Sequence, residues 1–296
     1  MRLVLSFAAL FCVVAGSVSA GSASAVSSCG RAGYSYAGFQ ATGPAHGVRA
    51  DLVALGRPYV QSGHVAAWVG VGGPGQGAGG SDAWIQVGLS AFEGTGSRLY
   101  FEVNKPGVGP RYREVRASVA PGSRHRIAVL EVSRRPGWWR VWVDGRPVSK
   151  PVYLPGSSGR WRPIATAETW DGGRRVCNRF VYRFDGLSVA GSRGGSWRRF
   201  VSGHRFLDPG YRIVNQRHGF LARAVQPLPR ASEAAAKEPA ASAQDANGGP
   251  GTDVPLQDQH GPVGDSDTAV GDGLPEELGG TRPMDADDPA AGPFAE

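Results

Sequence analysis

Residues 67–89 read "AWVGVGGPGQGAGGSDAWIQVGL", and how this stretch folds decides the architecture. Gly70, Gly72 and Gly75 match the G-x-G-x-x-G pattern of a dinucleotide-binding loop. A phosphate cradle needs a strand before the glycines and a helix after them, because the helix N-terminus supplies the N–H groups and the positive end of the dipole. Here Pro74 sits inside the loop, and Gly77, Gly79 and Gly80 follow, so no helix starts. Trp68–Gly72 reads as one strand and the alternating Ala83–Leu89 as another. The glycines therefore form a loop between two strands.

The same texture runs from about residue 33 to 190. Short alternating runs are separated by Gly, Pro, Ser and Asn clusters at regular spacing. Eleven strands are expected, among them Tyr34–Gln40, Val65–Gly72, Ala83–Phe92, Arg98–Asn104, Val148–Leu154, Ile164–Trp170 and Phe180–Ala190. Asp144-Gly145 between Val143 and Arg146 is a two-residue hairpin turn. No long segment has helical periodicity. The pattern predicts an all-β fold, a two-sheet antiparallel jelly-roll sandwich over 29–192. A short β extension follows over 193–226, with a hairpin around His218-Gly219.

The ends differ. Residues 1–25 carry Arg2, an apolar run from Leu3 to Ala15 and small residues at Val18-Ser19-Ala20 and Ala23-Ser24-Ala25, the pattern of a secretory signal. The run is too short to span a bilayer, and no other stretch approaches that length. Residues 227–296 are rich in Ala, Gly, Pro, Asp and Glu and nearly without aromatics, which predicts a disordered acidic tail. The tail holds 14 acidic and 3 basic residues, a net charge of −11. The whole chain is +7, leaving +18 on residues 1–226. The asymmetry serves solubility, or lets the tail fold back over a basic face and compete with an anionic partner. With the signal removed, Cys29 and Cys177 form an even pair, which in an oxidising compartment suggests a disulfide.

Strand alternation says which side chains share a face. Ala83, Ile85, Val87 and Leu89 make an apolar face, as do Leu99, Phe101 and Val103. The opposite set is Trp68, Trp84, Gln86, Tyr100, Glu102, Glu168 and Trp170. Aromatics with a few polar groups on a concave sheet make a groove for an extracellular polymer or polypeptide.

Other chemistries find no support. There is no G-x-S-x-G, no H-E-x-x-H or other metal-ligand spacing, and no cofactor motif. A sandwich glycosidase wants a carboxylate cluster, and no E-x-D occurs. Glu102 and Glu168 remain as a pair. The chain has the charge and aromatics of a nucleic-acid binder without its motifs, and an exported protein rarely meets that partner.

At Ala67–Gly73 (A-W-V-G-V-G-G), Ile85–Gly88 (I-Q-V-G), Tyr100-Phe101-Glu102 and Ala167-Glu168-Thr169-Trp170 the sequence resembles the eqolisin-type glutamic peptidases. In that family the matching stretches are A-W-V-G-I-D-G, L-Q-T-G, Y-E-W and A-E-W. The resemblance covers roughly residues 36–190. It implies a secreted, concanavalin-like sandwich with Gln86 and Glu168 as the catalytic pair and Trp68 lining the cleft. The carboxylate would activate water and protonate the leaving amine, and the amide would stabilise the oxyanion. The family's acidic position falls on Gly72. Thr169 is inserted within A-E-W, which would put Glu168 off by one position and on the opposite face. The +18 body also predicts an Arg-rich surround holding Glu168 ionised. Two main readings stay open: a secreted module binding a polysaccharide, peptide or anionic wall polymer, and a glutamic-type endopeptidase. A third leaves the sandwich structural and makes the tail the interaction element.

Overall fold

The computed structural model describes residues 33–171 and 177–227. The expected signal segment 1–25, residues 228–296 and Cys29 lie outside them, so the Cys29–Cys177 pairing does too.

Sixteen strands follow in chain order: β1 (Tyr34–Ala41), β2 (Gly47–Ala54), β3 (His64–Gly73), β4 (Ala83–Phe92), β5 (Ser97–Lys105), β6 (Gly109–Val119), β7 (Arg124–Glu131), β8 (Trp138–Val143), β9 (Arg146–Pro147), β10 (Val152–Tyr153), β11 (Pro163–Trp170), β12 (Val181–Ser192), β13 (Gly195–Arg199), β14 (Ser202–Leu207), β15 (Tyr211–Gln216) and β16 (Gly219–Ala224). They form two antiparallel sheets. One has the order β14-β1-β11-β3-β4-β5-β6. The other runs β10-β8-β7-β2-β12-β16-β15, with β13 beside β12 and β9 beside β8. The all-β, two-sheet jelly-roll sandwich expected from the sequence is the fold observed.

The 74–82 stretch is a loop between adjacent antiparallel strands, with a single three-residue 3₁₀ turn, Ala78–Gly80. It is held from within, where Gly75 N donates to Asp82 Oδ1 at 2.8 Å, and from outside, where Trp161 Nε1 donates to Gln76 O at 2.8 Å. Asp144 and Gly145 both take positive φ, 50° and 81°, as a two-residue hairpin turn requires.

Val148–Leu154 is not the single strand expected. Only Val152–Tyr153 of it is strand, as β10, and β9 before it ends at Pro147. Pro147 and Pro151 lack the N–H that a continuous ladder needs. Residues 195–224 join both sheets. β13 and β16 pair with β12, β14 pairs with β1, and the β15–β16 hairpin turns between Gln216 and Gly219.

Between the sheets lies the main core. It includes Ala83, Ile85, Val87 and Leu89 from β4, with Trp139, Trp161, Phe180, Tyr182, Phe184 and Phe220. The faces are therefore as strand parity set them. Ala66, Trp68 and Tyr100 form a separate small cluster on the outer side of the seven-stranded sheet.

A candidate active-site cleft

Adjacent-strand register builds the outer face of the seven-stranded sheet in rows. Tyr36, Glu168, Ala66 and Ser90 form one row across β1, β11, β3 and β4. Thr166, Trp68, Gly88 and Tyr100 form the next across β11, β3, β4 and β5. Ile164, Gly70, Gln86, Glu102 and Tyr112 form a third, reaching β6. Gly72 and Trp84 open a fourth. Ala66, Gly70 and Gly88 keep the floor low between tall aromatic walls, and a cleft of about 470 Å³ results.

Two glycines are required by the backbone. A Cβ on Gly88 would lie 2.0 Å from Ala67 O, so only glycine lets β4 approach β3 beside Trp68. Gly72 has φ of +87°, and a Cβ there would meet Ala83 O at 2.3 Å. The acidic side chain that the resembled family carries here would be strained on this backbone.

Trp68, Trp84, Gln86, Tyr100, Glu102 and Glu168 all line this cleft. The inserted Thr169 leaves Glu168 on the cleft face. Trp170 does not line it; its ring stacks on His64, with centroids 5.7 Å apart. Gln86, Glu102 and Glu168 are each more than nine-tenths buried.

The polar groups are individually held. Trp84 Nε1 donates to Glu102 Oε1 at 2.7 Å, and Gln86 Nε2 donates to Tyr100 Oη at 3.2 Å. Ser90 and Tyr112 hydroxyls are 3.0 Å apart, and Tyr112 stacks on Tyr100. His64 Nε2 lies 3.6 Å from Glu168 Oε1. Trp68 Nε1 is buried and has no hydrogen-bond partner in the protein. An orphaned donor at a cleft costs free energy that a ligand oxygen would recover.

Burial pushes the Glu102 carboxyl up to about 7, and the Glu168 charge adds to the effect; the Trp84 hydrogen bond and His64 oppose it. Burial, then the Glu168 charge, likewise pushes the Tyr34, Tyr36 and Tyr100 hydroxyls well above the usual phenol range. The three phenols therefore stay neutral at ordinary pH.

The Arg-rich surround is corrected. Among the described residues no Lys or Arg lines the cleft. Arginines stand on the other sheet instead, where Arg124 and Arg126 pair with Asp51, and on edge strand β6. Net charge is a property of the whole surface and does not say which face carries it.

Sequence reading missed His64, Tyr34, Tyr36, Phe92, Tyr112 and Phe206, all of which line the cleft. His64 shares parity with Ala66 and Trp68, so starting that strand one residue earlier would have included it. Phe206 arrives on β14, whose place beside β1 no local pattern shows.

No protein-family model and no curated protein matches the chain. Among solved structures it is similar to Scytalido-glutamic peptidase with a peptide-based transition-state analogue, at 14% identity and TM-score 0.44, over 64% of this chain and 98% of that one. It is similar to SCP-B, a member of the Eqolisin family of peptidases in complex with the tripeptide Ala-Ile-His, at 16% identity and TM-score 0.42, over 64% of this chain and 97% of that one. It is also similar to a Bacillus licheniformis beta-glucanase, at 17% identity and TM-score 0.30, over 45% of this chain and 55% of that one. Such likenesses carry nothing about activity. No helix among the described residues is long and apolar enough to cross a membrane.

Proposed function

We propose that the cleft binds an extended polypeptide outside the cell and hydrolyses it by glutamic-peptidase chemistry. The observation that carries the reading is that Glu168 and Gln86, both more than nine-tenths buried, face one cleft. The motif resemblance points to the same two residues. Glu168 takes a proton from water as its oxygen bonds to the scissile carbonyl carbon. One Gln86 N–H is used by Tyr100, which leaves the second for the developing oxyanion. Glu168 then gives the proton to the leaving nitrogen as the C–N bond breaks, yielding a carboxyl and an amine. The unpartnered Trp68 N–H and the aromatic walls supply backbone recognition and apolar contact. Export through the 1–25 segment and a Cys29–Cys177 bond belong to this reading.

A second reading has one observation in its favour. Gln86 and Glu168 sit two strands apart and in different rows, each with its own partner. A cleft built only to hold a polymer would need no closer relation.

The test incubates the purified chain with a denatured protein from about pH 2 to 7, the range over which a carboxylate base changes state. New N-termini, absent with Glu168→Gln, are expected. Wild-type chain that cleaves at no pH would overturn hydrolysis and leave polymer binding, to be sought in a glycan and wall-polymer screen.

A further inference from the structure

A second cavity, of about 330 Å³, lies between β5, β6 and the 149–152 segment. Phe101, Val103 and Val108 give it apolar surface, and Lys105, Arg111, Arg113 and Lys150 also line it, with no acidic residue among the described residues of its lining. Register explains the mixture. Arg113 pairs with Phe101 and Arg111 with Val103 on edge strand β6. These positions share the parity of core residues, yet the opposite sheet ends at the two-residue β10 and leaves this corner uncovered. Lys105 and Lys150 are the only lysines between residues 1 and 226.

We propose that the chain's own acidic segment Asp272-Gly-Leu-Pro-Glu-Glu-Leu278 docks in this groove, independently of what the cleft does. The segment brings three carboxylates and two leucines within seven residues, complementing a rim of cations around an apolar floor. The tether reaches. Pro227 ends the described chain, its carbonyl accepting from Arg179, beyond β16. From β16 to β10 is five strand steps, about 24 Å. Asp272 lies 45 residues after Pro227, and a flexible chain of that length would span roughly 37 Å. Tethering at that length supplies an effective concentration on the order of millimolar, so even a weak contact fills the groove. The contact would hold the groove against other polyanions and loosen as salt rises.

The full chain tests this directly. A carbodiimide joins carboxylates to lysine amines with no spacer, and only Lys105, Lys150 and Lys237 exist to react. Expected are amide links within one chain from Asp272, Glu276 or Glu277 to Lys105 or Lys150. Arg111→Gln, and separately Leu274→Ser with Leu278→Ser, should cut their yield about tenfold, the latter because the apolar burial is lost while every carboxylate stays. Links spread evenly over the acidic residues of 228–296, or unchanged without the leucines, would show generic charge attraction and overturn the proposal. So would links only between isotopically distinct chains, which mean a second copy. The absence of links would overturn it as well and leave the groove to an external polyanion.

Discussion

His64 Nε2 lies 3.6 Å from Glu168 Oε1, both side chains are almost wholly buried, and Trp170 stacks on the imidazole at 5.7 Å. β3 and β11 create this relationship, since His64 is the register partner of Trp170 and Ala66 that of Glu168. Tyr34 and Phe92 close the remaining sides of the ring. The imidazole is therefore fixed in position beside the carboxylate proposed as base. His64→Phe keeps the aromatic packing and removes the nitrogen. Peptide hydrolysis should fall about fivefold in kcat/KM, the scale of one close polar contact, with little change in stability. Unchanged kinetics would mean that the imidazole only fills space.

Glu102 sets a pH-dependence of stability. Its folded value of about 7 stands above the 4.5 of a free glutamate, so the native state holds the proton more tightly than the unfolded chain. Its contribution is complete below about pH 4.5 and is lost as pH rises through about 7. The shift corresponds to a loss on the order of 3 kcal/mol. Glu102→Gln should remove this slope, leaving the variant more stable than wild type above pH 7. Urea denaturation from about pH 4 to 8 reads it. Parallel curves for the two proteins would rule out a protonated Glu102.

Trp84 bears on the same group. Its indole donates at 2.7 Å to the Glu102 carboxylate and favours the charged form. Trp84→Phe should raise the pH at which Glu102 ionises. The cost should be greater at pH 8 than at pH 4, by roughly 1.5–3 kcal/mol for a hydrogen bond to a charged group. An equal cost at both would show that only packing is lost.

Gly88→Ala should be severe, because its Cβ would lie 2.0 Å from Ala67 O in the centre of the sheet. A loss of at least about 3 kcal/mol is expected. Gly96→Ala, where nothing lies within 4 Å of the added carbon, should stay within about 0.5 kcal/mol. Equal denaturation midpoints for the two variants would contradict the close approach of β3 and β4.

Period-two alternation belongs to each strand alone, so the sequence by itself determined the all-β class, most strand spans and the face of each side chain. Ile85 and Gln86 point to opposite sides because successive Cβ atoms must. The Asp144-Gly145 turn is equally local, since its positive φ values suit those residues. Two proline positions broke the Val148–Leu154 reading because hydrogen-bond partners across the sheet also decide where a strand continues. Only the tertiary structure decided strand order. It set β11 between β1 and β3, which brings Glu168 beside Tyr36 and His64, and returned β14 to β1, which adds Phe206. It also decided electrostatics: in a body of net charge +18, no described Lys or Arg lines the cleft, while Lys105, Arg111, Arg113 and Lys150 gather at the groove beside β6. Pairing between distant segments and the sharing of burial among them are collective. No single stretch carries that information, because its energy exists only once the sheets have formed.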